Sequence, residues 1–163
     1  MGKPLHSLAI AGALIVGLGA AALFVLPGNE NTGLLKPENA DVVARGKDIY
    51  DETCAACHGA NLKGEAHWQT PKADGLLPAP PHDVSGHTWH HSSQLLFDMT
   101  KYGVAEAANL ENYQSAMPAY EGVLTDDEII AVLSFIKASW PEDVRARHDA
   151  LDAAQTDQPY VIS

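Results

Sequence analysis

Residues 8–26, within "LAIAGALIVGLGAAALFVLP", carry no charge and no polar alternation. The run is close to the roughly 20 apolar residues that cross a bilayer as a helix, and longer than the apolar region of a cleaved secretory signal. Cutting at the alanines 20–22 would leave "LFVLP" as an exposed apolar start. Residues 1–26 are therefore expected to form an uncleaved transmembrane helix. Lys3 is the only charged side chain before Glu30, which keeps the N-terminus in the cytoplasm and sends the rest across the membrane. In a bacterium this is a single-pass inner-membrane protein with its domain in the periplasm. "PGNENTGLLKPEN" then reads as a tether over residues 27–38.

Beyond the tether the apolar spacing is helical and nowhere strand-like. A first helix is expected near Asn39, with Asp41 in its first turn and Val42, Val43, Ile49 and Tyr50 as apolar positions. Residues 59–91 show little periodicity and contain Pro71, Pro78, Pro80 and Pro81. So long a loop inside a small domain suits a chain wrapped around something it does not encode. "SSQLLFDMTKYG" predicts a helix capped by Ser92 or Ser93, with Leu95, Leu96 and Met99 on one face and Gly103 at its end. "TDDEIIAVLSFIKASW" predicts another, opened by a Thr125/Glu128 capping box, with Ile129, Val132, Leu133 and Ile136 as its stripe. Residues 141–163 are expected as an extension: a short polar helix, then a loose tail. The fold class is all-α.

Charge narrows the partners. The formal charge is −11, from 10 Lys+Arg against 21 Asp+Glu, and because the one charge before the apolar segment is positive, the domain is more acidic than the whole chain. Such a field repels nucleic acid and favours basic protein surfaces.

The chemistry concentrates in "ETCAACHGANLKG", which holds both cysteines, Cys54 and Cys57, followed by His58. A thioredoxin-type dithiol needs a strand before it, and here a helix precedes. A closed zinc site needs a second ligand pair, and no third cysteine exists. The C-x-x-C-H spacing is accounted for by one covalent haem, two thioethers holding its edge and the adjacent imidazole meeting its iron. For the sixth iron position the candidates are Met99, Met117, His67, His82, His87, His90, His91 and His148. Met117, stiffened by Pro118 in a non-helical loop, is the preferred ligand, and Met99 is assigned to the core.

Residues 39–140 resemble the class I c-type cytochromes, small monohaem proteins of three to five helices. The resemblance lies in "GKDIYDETCAACHG", a proline-bearing loop, "SAMPAY" and "LTDDEIIAVLSFIK". It implies a helix crossing in which Gly46 and Tyr50 meet Phe135. It implies that Pro80 or Pro81, with Pro81 favoured, accepts the His58 Nδ1 proton, and that the Trp89 indole meets a haem propionate. It also implies one-electron transport with His58 and Met117 as metal ligands. The expected redox partners are a quinol-oxidising complex, a terminal oxidase or a periplasmic dehydrogenase. A fixed cytochrome subunit of a larger complex, and a haem enzyme or sensor with a labile sixth ligand, are the alternatives. "HDVSGHTWHH" is richer in histidine than the family pattern, which leaves His90 or His91, or a second metal in that cluster, as rival readings.

Overall fold

The computed structural model describes residues 33–156. The transmembrane segment expected over residues 1–26, residues 27–32 of the tether, and the tail beyond residue 156 lie outside the described residues. Among those described, no helix is long and apolar enough to cross a membrane.

The described chain is all-helical, with α1 (Ala40–Thr53), α2 (Ala55–His58), α3 (Ser93–Tyr102), α4 (Val104–Ala107), α5 (Asp126–Ala138) and α6 (Glu142–Thr156). Asn39 opens α1, its side-chain oxygen accepting from the Asp41 and Val42 amides. The capping box opens α5: Thr125 Oγ1 accepts from the Glu128 amide at 3.3 Å, and the Glu128 carboxylate accepts from the Thr125 amide at 2.9 Å. Three acidic residues in the first turn of α5 meet the positive end of its dipole.

The α1–α5 crossing organises the core. Gly46 lies so close to α5 that a Cβ there would sit 1.9 Å from the Ala131 carbonyl oxygen. One turn on, Tyr50 is fully buried, its ring centroid 5.3 Å from that of Phe135. This is the crossing implied by the family resemblance. Ile129, Val132, Leu133 and Ile136 of α5 complete the buried stripe.

Two segments contribute more than their patterns suggested. Leu35, placed in the tether, is buried in the core, and the neighbouring Lys36 amide donates to Ser134 Oγ of α5 at 2.8 Å. In α3 the buried face is Ser93, Leu96, Phe97 and Thr100, with Leu95 and Met99 only half-buried. The helix is turned by about one residue from the face its leucines indicated, because Phe97 takes the inward position.

Helix α6 is not a free appendage. Val144 and His148, one turn apart, are buried, and the His148 ring packs on Trp140 at 5.2 Å. The buried Lys137 of α5 bonds the Asp149 carboxylate and lies 3.9 Å from Asp152. Asp152 in turn accepts from the Ser93 amide at 2.7 Å and the Ser93 hydroxyl at 2.6 Å, at the start of α3. A lysine and a histidine thus occupy positions that apolar residues fill elsewhere.

His148 makes the fold acid-sensitive. Burial, then the Lys137 ammonium, push its pKa down, and Asp152 and Asp149 oppose this only in part. The unfolded chain therefore takes a proton at a higher pH than the folded one. Stability from this group is complete above the ordinary histidine pKa and is lost as pH falls through the folded value. Urea unfolding of His148→Phe against wild type should show a flatter decline below about pH 6.5. Parallel pH profiles for the two proteins would remove His148 as the cause.

Candidate functional site

Helix α1 ends at Thr53 and the chain re-enters a single helical turn. The Cys57 and His58 amides both donate to the Cys54 carbonyl, at 3.2 and 2.9 Å. One turn thus carries both thiols and the imidazole, Cys54 half-buried and Cys57 exposed. Gly59, at φ +76°, turns the chain out of α2. Its carbonyl accepts from the Tyr50 hydroxyl at 3.0 Å, which ties the motif to the α1–α5 crossing.

Burial, then the neighbouring Cys57 thiol, push the Cys54 thiol up to about 11. A redox dithiol needs the opposite shift, because the thiolate is the attacking species.

The His58 ring is buried, with Nδ1 2.9 Å from the Pro80 carbonyl oxygen. A carbonyl only accepts, so Nδ1 carries the proton and Nε2 keeps a free lone pair. Burial lowers the ring's pKa, while the Pro80 bond and Glu65 act against it. The result is a neutral imidazole of fixed tautomer, which is what a metal ligand requires.

The acceptor is therefore Pro80 and not the favoured Pro81. Glu65 and Ala79 set this by bonding each other twice: the Glu65 amide donates to the Ala79 carbonyl at 2.9 Å, and the Ala79 amide donates to Glu65 Oε2 at 2.7 Å. The Ala79–Pro80 peptide lies directly on Gly64 (φ +63°), where a Cβ would come within 2.5 Å of the Ala79 oxygen. The Pro81 carbonyl is engaged elsewhere, accepting from Thr88 Oγ1 at 3.3 Å. Gly64 and Glu65 are functional supports that sequence reasoning missed. The Glu65–Ala79 pairing spans 14 residues and leaves no local pattern.

Trp89 sits half-buried in a short 3-10 turn, Thr88–His90. Its indole Nε1 is buried with no hydrogen-bond partner among the described residues. An indole N–H is a donor only, and leaving it buried and unpaired is unfavourable. It fits a carboxylate on a bound group, such as a haem propionate.

Met117 is half-buried in the loop before α5, its amide donating to Ser115 Oγ at 3.1 Å. Three residues on, the Tyr120 amide donates to the Thr100 carbonyl of α3 at 3.0 Å, and the Tyr120 hydroxyl to the Thr53 carbonyl at 3.3 Å. Thr53 immediately precedes Cys54. Burial raises the Tyr120 pKa, and Cys54 and Cys57 add to the effect. The methionine loop is thereby moored to the motif.

Three of the other candidate histidines have aromatic neighbours. His87 stacks on Trp68 at 5.2 Å, His91 meets His87 edge-on, and His90 lies 3.6 Å from the Trp89 ring. Among the described residues the close set of metal-ligand types is His148, Asp149 and Asp152, which includes none of this cluster. The Lys137 ammonium already bonds Asp149 there.

Comparison with known proteins agrees with this geometry. Residues 43–140 match the family model described as cytochrome c. The chain is 30% identical over 96 residues to cytochrome c6 of Tetradesmus obliquus, covering 58% of this chain and 86% of that protein. It is 28% identical over 144 residues to a nitrite reductase of Stutzerimonas stutzeri, covering 84% of this chain but only 21% of that protein's length. No solved structure matches. The chain belongs to the cytochrome c family: it carries covalent haem c, with the spacing of Cys54 and Cys57 suited to one haem, and its function is haem-based electron transfer.

Proposed function

We propose that the protein is a one-electron carrier of a respiratory chain, anchored in the bacterial inner membrane by residues 1–26 and working in the periplasm. His58 and Met117 would ligate the iron, and Cys54 and Cys57 would hold the haem. Bound haem supplies an iron that alternates between ferric and ferrous, at a potential that Met/His ligation raises.

This chain's residues do the rest. Pro80 holds the His58 proton at Nδ1 and keeps Nε2 free. Trp89 offers its unpaired N–H to a propionate. Tyr120 keeps the Met117 loop against the motif, and this tether is the observation that supports the assignment, because it ties the loop of a sequence-distant methionine to the residue before Cys54.

The expected partners are a quinol-oxidising complex, a terminal oxidase or a periplasmic dehydrogenase. Contacts of this kind are small and short-lived, and a membrane anchor raises the local concentration of partners in the same bilayer. The match to part of a nitrite reductase favours a second reading, a cytochrome module fixed within a larger oxidoreductase. Detergent extraction distinguishes the two: a stable complex that co-purifies supports the fixed module, and a free monomer the carrier.

The visible spectrum of the oxidised protein tests the ligation. A methionine–iron charge-transfer band at the red end should be present in wild type and absent from Met117→Ala. Carbon monoxide binding to the reduced wild type without a lag would show an open sixth position and end the Met117 assignment.

A further inference from the structure

We propose that His82 is a positioning residue for the axial histidine, restraining the rotation of the His58 ring through face-to-face stacking. The proposal rests on the reading of His58 as the haem ligand and goes beyond it.

The His58–Pro80 hydrogen bond sets the tautomer and, with the Cβ–Cγ bond, the mean plane of the ring. A single contact of this kind still leaves the ring some angular latitude. A neighbour narrows it. The His82 ring lies on the His58 ring with centroids 3.9 Å apart and planes 15° from parallel. Two flat rings at that separation are in full van der Waals contact, so rotation of one drives its edge into the other.

His82 is itself immobilised. Its amide donates to the Leu62 carbonyl at 2.7 Å, and its carbonyl accepts from Trp140 Nε1 at 2.7 Å. Tyr50 meets the same ring edge-on, with centroids at 5.8 Å and planes at 65°. The Tyr50 hydroxyl is bonded to Gly59, next to His58. His82 is thus wedged between the axial histidine and the buried tyrosine of α1, its backbone held by Leu62 on one side and by Trp140, between α5 and α6, on the other.

The buried Nδ1 of His82 has no hydrogen-bond partner among the described residues. What the stack uses is a flat face of limited width. An aliphatic side chain would fill the volume but restrain the His58 ring less closely.

Proton NMR of the ferric holoprotein tests this. The plane of an axial imidazole governs the magnetic anisotropy at low-spin iron, and so the order and spread of the haem-methyl resonances. His82→Phe keeps a flat ring and should preserve the wild-type order. His82→Leu fills the space without a face and should reorder the methyls and shift the reduction potential. Trp140→Phe, which frees the His82 carbonyl, should give a smaller change in the same direction.

A His82→Leu protein of lower thermal stability but unchanged methyl order would reduce the residue to packing and overturn the proposal. Equal changes in the Leu and Phe variants would also overturn it, since the effect would then come from the imidazole edge. Wild-type protein lacking shifted haem methyls would instead refute the ligation on which the proposal rests.

Discussion

Gly46→Ala should lower the stability of the holoprotein by about 3 kcal/mol or more, near the upper end of overpacking effects. The added methyl would sit 1.9 Å from the Ala131 carbonyl oxygen and 2.5 Å from its carbon. Both are backbone atoms in the middle of α5 and cannot turn aside as a side chain would. The helices must separate, and Tyr50, Phe135 and the hydroxyl bond to Gly59 lie one turn from the wedge. Alanine's better helix propensity returns only about 1 kcal/mol. Urea unfolding followed by haem absorbance measures the loss, and an unchanged midpoint would mean that the crossing is looser than described.

The second large effect is expected at Asp152. Asp152→Ala removes two hydrogen bonds to Ser93 and one of the carboxylates facing the buried Lys137. Bonds to a charged acceptor contribute about 1.5–3 kcal/mol each, and buried groups left without partners are unfavourable. Lys137 keeps Asp149, which limits the damage. The net loss should be about 3 kcal/mol. Asp152→Asn, which can still accept from Ser93 without the charge, should lose roughly half as much. Thermal unfolding of the three proteins checks the order. If the two variants lose equal stability, the charge and not the Ser93 bonds is what matters.

Much of the scaffold was legible because it is written locally. Asn39, Ser92 and the Thr125/Glu128 pair cap their helices where the sequence placed them, and C-x-x-C-H is chemistry at fixed spacing. The parts that escaped depend on distant residues. Choosing between the adjacent carbonyls of Pro80 and Pro81 required knowing that Gly64 lies beneath one and that Thr88 reaches the other. Helix α6 looked like a solvated extension because its inward face carries a histidine and two carboxylates, and the lysine that makes them useful belongs to α5. His82 was one of several candidates for the sixth iron position, and nothing local to it told that its ring lies against His58.

The pair of hydrogen bonds between Glu65 and Ala79 has a consequence for how such a chain can change. It closes a neck, so residues 66–78 leave and return at nearly one place, and the register of Pro80 on His58 is set at the neck and not by the length of the excursion. The tip at Asp74 and Gly75 is exposed, and a Cβ on Gly75 would meet nothing within 4 Å. Doubling a loop of this kind adds only about 0.6 kcal/mol of closure entropy. The excursion is therefore free to lengthen, shorten or acquire a new recognition sequence through descent, while the ligand bond it flanks stays as it is.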